Sequence, residues 1–230
     1  MSAKQRTARD ARRRNLGQNF LRPEVGRQLV ASAGFRPDEL VVEIGAGRGA
    51  LTRALAAHPI DVIAVELDPV WSERLREELR RAGCRRVRVV HADFLSLALP
   101  TQPFRVIGSL PFGRTTDICR RLFDDPSVPL ERADLVVQWE VACKRASSPP
   151  STLLSTAWAP WWEFRLGPRI PSSDFRPVPR ADAGGLVVTR RRDALLPPAM
   201  ADAYSRFVRT HWPFAAPHAT GYGCSPKRRP

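Results

Sequence analysis

Between residues 40 and 139, short apolar runs alternate with stretches of helical periodicity, and nearly every run ends in residues that carry chemistry. Leu40–Ile44 flows into Gly45-Ala46-Gly47-Arg48-Gly49, and Asp61–Glu66 ends on a carboxylate. Residues 87–90 lead to His91-Ala92-Asp93-Phe94, residues 105–108 to Ser109-Leu110-Pro111-Phe112, and residues 135–139 read as a fifth strand. Leu51 and Leu55 lie between these runs at helical spacing, as do Trp71, Leu75 and Leu79 behind the capping pair Asp68-Pro69, and Ile118, Cys119 and Leu122. Strands that alternate with helices imply right-handed parallel βαβ units in an open, doubly wound α/β sheet. In such a sheet, ligands sit outside the carboxyl ends of the strands, and that is where all four clusters fall.

The flanks are simpler. Pro23 opens a helix with Val25, Leu29, Val30 and Ala33 on one face, ended by Gly34. After Ala146 the character shifts to a Ser/Pro loop at residues 147–150, an aromatic cluster at residues 158–162, and a turn-rich stretch at residues 176–185. Residues 186–189 read as a last strand, residues 193–198 as a linker, and Met200, Tyr204, Phe207 and Val208 as one amphipathic helix. Residues 211–230, rich in Pro, Gly and basic residues, read as irregular. The expected organisation is a flexible basic arm at 1–15, one main domain at 16–192, and a small helical or irregular appendage at 193–230.

Composition excludes several classes. With 43% hydrophobic residues in 230, the chain can build a core and is not disordered by default. No apolar run approaches the roughly 20 residues of a bilayer crossing, and the basic first residues lead into no apolar stretch of a secretory signal. Cys84, Cys119, Cys143 and Cys224 are far apart, and the four histidines do not cluster. A zinc site is therefore not expected, and the cysteines read as small core residues in a reducing cytoplasm. Lys and Arg number 37 against 23 Asp and Glu, a net charge of +14. Such a surface meets nucleic acid or another polyanion; an Arg-rich coding bias is the plainer explanation.

Each cluster has a chemical reading and a structural one. Gly45-x-Gly47-x-Gly49 is not the dinucleotide spacing G-x-G-x-x-G, so it suits a nucleoside-like ligand without a pyrophosphate, or simply a tight turn. Glu66, 21 positions beyond Gly45, suits both hydroxyls of a ribose, or is a surface carboxylate. Asp93-Phe94 suits an adenine, the carboxylate on its amine and the ring over its face, or is a helix cap beside a core Phe. Ser109-Leu110-Pro111-Phe112 is the most specific. An exocyclic amine shares its lone pair with the base, so a site that alkylates it must hold the N–H groups with acceptors. The Ser109 side chain and the Leu110 carbonyl supply acceptors, Pro111 stiffens the turn and lacks a competing N–H, and Phe112 offers a face to a base taken from its stack.

Taken in order, Leu16-Gly17-Gln18-Asn19-Phe20-Leu21, Glu43-Ile44-Gly45-Ala46-Gly47, Glu66-Leu67-Asp68, Asp93-Phe94, Ser109-Leu110-Pro111-Phe112 and Phe175-Arg176-Pro177-Val178-Pro179-Arg180-Ala181-Asp182 resemble the ribosomal RNA adenine N6-methyltransferases. Gln18-Asn19-Phe20 and the Arg-rich start resemble their erythromycin-resistance (Erm) branch; the small-subunit dimethylases are the near relative. The similarity runs over residues 15–209. It implies a Rossmann-like class I fold, S-adenosylmethionine as methyl donor, and an adenine of 23S ribosomal RNA in the macrolide-binding region as substrate, hence macrolide-type resistance. It implies a cytoplasmic monomer that meets the RNA before the subunit is fully assembled. Asn19, Leu21, Gly45, Gly47, Glu66, Asp93, Phe94 and Ser109 would then line the cofactor site, and Ser109, Leu110, Pro111 and Phe112 the target adenine.

Two departures stand out. Ser109 occupies a position where the family usually has Asn, which implies slower transfer or a bias to single methylation. The C-terminal helical part is short, so the basic arm and Lys227, Arg228 and Arg229 would replace lost RNA-facing surface. Methylation of 16S ribosomal RNA remains an alternative, as does a basic rRNA-binding or assembly factor that keeps the fold without the reaction; a DNA adenine methyltransferase is a weaker third.

Overall fold

A computed structural model describes residues 18–215 of the chain. The basic arm at 1–15, Leu16-Gly17, Cys224 and the basic residues 227–229 lie outside the described residues.

Seven strands form one sheet in the order β4-β3-β2-β5-β6-β9-β7. Chain order supplies β1 (Phe20–Leu21), α1 (Pro23–Ala33), β2 (Leu40–Ile44), α2 (Ala50–Leu55), β3 (Asp61–Glu66), α3 (Pro69–Arg81), β4 (Val87–His91), β5 (Phe104–Ser109), α4 (Thr115–Phe123) and β6 (Leu130–Gln138). These are followed by α5 (Trp139–Arg145), α6 (Leu153–Trp158), β7 (Trp162–Ile170), β8 (Phe175–Arg176), β9 (Ala183–Arg190) and α7 (Ala201–Ala215). Strands β4, β3, β2, β5 and β6 are mutually parallel, as the alternating pattern requires. Their near-continuous apolar character follows from burial on both faces.

The far end adds two antiparallel strands to this parallel part. β9 runs antiparallel to β6, and β7 antiparallel to β9. β7 was illegible because its register shifts between Leu166 and Arg169, where Gly167-Pro168 interrupts the two-residue period; Pro is tolerated there because β7 is an edge strand. The strand expected at 135–139 begins at Leu130 and ends at Gln138, and Trp139 opens α5. α6 starts at a capping box in which the Ser155 N–H donates to Thr152 Oγ1 (3.1 Å) and the Thr152 N–H to Ser155 Oγ (3.2 Å). Serine stands there for the usual Glu or Gln, which hides the start signal.

Helices cover both faces. On one, Phe123 sits 5.5 Å from Trp158 and 5.3 Å from Trp162, ring to ring, so the aromatic cluster is core rather than surface. Truncating such a ring costs about 3–5 kcal/mol. Cys119 is buried in the same core, and burial pushes its thiol up to about 12, a small hydrophobe and not a nucleophile. On the other face Leu21, Leu51, Leu55, Leu75 and Phe175 pack together.

The segment expected to be a linker is bonded to this body. The Trp161 indole donates to the Leu196 carbonyl (2.8 Å), and Tyr204 of α7 meets Trp161 edge-on at 6.0 Å. α7 continues to Ala215, so residues 211–215 are helical, not irregular. A two-stranded ribbon completes the site: β1 pairs with β8, Phe20 opposite Arg176 and Leu21 opposite Phe175. It ties two motifs some 155 residues apart to the same edge of the sheet.

Candidate active site at the carboxyl edge of the sheet

The β2–α2 turn folds back over the end of β3. The N–H groups of Gly45 and Ala46 both donate to the Val65 carbonyl, at 2.9 and 3.1 Å. Gly45 has φ 73° and Gly47 φ 53°, which residues with a Cβ rarely adopt. A Cβ on Gly47 would stand 2.9 Å from Phe20 Cδ1, and one on Gly45 would touch the Ser109 carbonyl oxygen at 3.6 Å. Gly47 therefore lets the ribbon close on the turn, whereas Gly45 is required by its backbone conformation and not by space; the close approach of β2 and β5 falls at Gly108, where a Cβ would stand 2.7 Å from the Ile44 carbonyl oxygen. Arg48 stacks on the outer side, its guanidinium 4.6 Å from the Phe20 ring and 5.0 Å from Trp71.

Glu66 ends β3 with 6% of its surface exposed. The Gly47 N–H donates to its Oε2 at 2.6 Å, and the Asp68 N–H to its Oε1 at 2.7 Å. Burial pushes the carboxyl up, and these two amides oppose the rise by stabilising the anion. Each oxygen keeps a further lone pair for a donor in the cleft. This is not a plain surface carboxylate. Asp68 caps α3 by accepting from the Val70 N–H (2.9 Å) and also receives the Gln18 side-chain amide (3.0 Å), so β1's leading residues are anchored to the Glu66 loop.

Asp93 caps a short turn and also lines the cleft. Its Oδ1 accepts the Leu95 N–H at 2.9 Å, capping a 3₁₀ turn, while its Oδ2 lies 3.7 Å from the Arg114 guanidinium. Phe94, 5% exposed, packs into the core and forms part of the cleft wall. Ser109 ends β5 opposite Val136, and the Leu110 N–H donates to the Val136 carbonyl at 2.9 Å. The Pro111 carbonyl accepts from the Arg114 N–H (2.9 Å) and the Thr115 hydroxyl (3.2 Å), which pins the loop above α4. Phe112 is half-buried in this loop rather than sealed in the core.

Asn19, Gly45, Gly47, Glu66, Asp93, Phe94, Ser109, Leu110, Pro111 and Phe112 line one cleft of about 890 Å³, part of it open to solvent. Four sequence clusters from four loops converge there, as ligand sites at such edges do.

The chain matches the family described as "Ribosomal RNA adenine dimethylase" over residues 9–212. The chain belongs to that family. It is 38% identical over 194 residues to an rRNA adenine N-6-methyltransferase of Corynebacterium diphtheriae, covering 84% of this chain and 75% of the relative. It is 42% identical over 201 residues to the mycinamicin-resistance protein MyrB of Micromonospora griseorubida, covering 86% of this chain but 62% of MyrB. The crystal structure of the 23S rRNA methyltransferase ErmE superposes with a TM-score of 0.74 at 32% identity, over 89% of this chain and 81% of that one. The Rossmann-like methyltransferase fold is thus shared with this dimethylase family.

Of the site residues that the family resemblance implied, Leu21 alone is not in the cleft. It is 7% exposed and packs with Val30, Ile170 and Phe175. The cause is the two-residue period of a strand: Phe20 takes the cleft side of β1, so Leu21 takes the core side. The cleft also holds residues the sequence reading had not assigned to it, among them Gln18, Phe20, Phe175 and Arg114. Gln18, Phe20 and Phe175 lay inside quoted motifs and could have been found by pairing the two segments. Glu43, one residue before Ile44, is 1% exposed; burial pushes it up to about 7, and its Oε2 has no hydrogen-bond partner among the described residues.

Proposed function

We propose that this member of the dimethylase family transfers methyl groups to the N6 amine of an adenine in 23S ribosomal RNA, with S-adenosylmethionine as donor, and so confers macrolide-type resistance. The observation that carries the reading is the Glu66 carboxylate fixed by two backbone amides at one end of a cleft whose other end is the Ser109 to Phe112 loop. The residues fit the donor: an oriented carboxylate for ribose hydroxyls, a glycine turn that admits backbone contact, and Asp93 with Phe94 for an adenine. Asn19 and Gln18, just before the ribbon that closes over the turn, fit its amino-acid end.

When bound, S-adenosylmethionine supplies an electrophilic methyl group on a sulfonium. The chain's own contribution is position. Ser109 Oγ and the Leu110 carbonyl accept the two N–H groups of the target amine, which draws its lone pair out of the ring system. Phe112 stacks on the extruded base and replaces the neighbours it lost. The pinned Pro111 keeps this loop from retreating when the base arrives. No side chain acts as a strong base, because the amine proton becomes acidic once the nitrogen is alkylated. Proximity and charge placement account for most of the rate. On this reading the chain is a cytoplasmic monomer that meets the macrolide-binding region of the RNA before the subunit is fully assembled.

The test is transfer of tritiated methyl from S-adenosylmethionine to purified 23S and 16S transcripts. Label in 23S alone is expected. Label in 16S alone assigns the chain to small-subunit methylation, and RNA binding without label assigns it to assembly.

A further inference from the structure

Among the described residues lining the cleft, Glu66 and Asp93 are acidic and Arg114 is the one cation. Arg114 closes the 3₁₀ turn Phe112–Arg114, two residues beyond the ring that would take the target base, and its side chain is 48% exposed. Its guanidinium lies 3.7 Å from Asp93 Oδ2 and 3.5 Å from Asp117 Oδ2. Both separations exceed hydrogen-bond length, so these half-exposed pairs hold the side chain near the cleft without saturating its planar fork of N–H donors. Asp93 does not depend on Arg114, because its Oδ1 is already held by the Leu95 N–H at 2.9 Å.

A nucleotide swung out of its stack brings its phosphates with it. A base seated on Phe112 has its backbone at the open mouth of the cleft, where an Arg on the same short turn presents two parallel N–H groups. Arg–phosphate pairs are short, charge-assisted and bidentate, which the two longer carboxylate contacts are not.

We infer that Arg114 binds a backbone phosphate of the target adenosine and so seats the base between Phe112 and Ser109. The inference rests on the reading that the substrate is an extruded RNA adenine. Asp117 and Asp93 then act as the waiting partners of Arg114, and the phosphate displaces them.

The test compares the unaltered chain with Arg114→Gln and Arg114→Lys, by binding to a 23S transcript spanning the macrolide region over a range of KCl. Arg114→Gln is expected to weaken binding about tenfold and to lower the slope of log affinity against log salt by about one. Arg114→Lys keeps the slope and recovers part of the affinity, having the charge but not the fork. Affinity for S-adenosylmethionine, by calorimetry, stays within about twofold in both, since Asp93 keeps its backbone anchor. A slope unchanged in Arg114→Gln overturns the inference and leaves Arg114 as a brace for Asp93; no RNA binding by the unaltered chain overturns it as well. Methyl transfer by the unaltered chain on the same transcript tests the underlying reading separately: a lowered slope without any transfer keeps the phosphate contact and removes the enzyme.

Discussion

The two ends of the cleft are built differently. At the donor end, Glu66 is almost wholly buried, both of its oxygens are held at 2.6 and 2.7 Å, and the Gly45 and Gly47 turn is locked between β3 and the Phe20 ring. At the acceptor end, Ser109, Pro111 and Phe112 are only half-buried on a loop pinned through one carbonyl. A small, unvarying ligand rewards a preformed site, because little ordering remains to be done on binding. A base that must be pulled from an RNA stack needs an open, aromatic landing surface. Loss of function here therefore comes in two separable kinds, and substitutions at each end should move different measurements.

The largest effect is expected at Glu66. Glu66→Ala leaves the buried amides of Gly47 and Asp68 unpaired, at about 2 kcal/mol each, and removes the ribose acceptor. Affinity for S-adenosylmethionine, by calorimetry, should fall more than about 100-fold; Glu66→Gln, which can still accept from one amide, should fall less and fold normally. If Glu66→Ala binds the donor as well as the parent, the donor end has been misplaced.

Next comes Glu43, behind the same turn. Its carboxyl titrates near 7 in the folded chain against an ordinary 4.5. Between those values the folded chain keeps a proton that the unfolded chain has lost, so stability falls as pH rises from about 4.5 to about 7 and levels off above. The change amounts to about 3 kcal/mol at most, and the upward shift of Glu66 acts in the same direction. Glu43→Gln should flatten most of that slope in urea melts and be the more stable protein at pH 8. An unchanged slope would mean that water reaches Glu43.

At the acceptor end, Phe112→Ala should lower kcat/KM for RNA about 30-fold, the worth of about 2 kcal/mol of stacking, while donor affinity stays put. A matching loss of donor affinity would merge the two ends. The smallest effect is expected at Ser109: Ser109→Asn, with a longer acceptor, should speed transfer a few-fold and raise the share of dimethyladenosine seen by mass spectrometry. Full dimethylation by the parent, at a rate the substitution leaves unchanged, contradicts that.

Much of this contrast could be read in the sequence, and for a physical reason. Parallel strands buried on both faces read as plain apolar runs, so β2, β3, β4 and β5 were found within a residue or so, and with them the donor loops. Ser109 to Phe112 was legible because acceptor, imino residue and aromatic ring adjoin in one tetrapeptide. What was hidden depended on pairing. β7 conceals its period behind Gly167-Pro168, and the capping box of α6 pairs Thr152 with Ser155 instead of a glutamate. The side chain of Leu21 faces the core because a two-residue strand sends neighbours to opposite sides, which becomes visible only when β1 is seen against β8. Arg114 carries no signal of its own; its place in the cleft comes from the 3₁₀ turn that follows Pro111.

Primer extension on ribosomal RNA from cells expressing the chain tests the central claim, that one sheet edge sets a methyl donor against an extruded adenine. One stop is expected, at a single adenine of 23S RNA, which disappears with Glu66→Ala and weakens with Phe112→Ala. No stop in 23S RNA, or a stop equally strong in both variants, would contradict it.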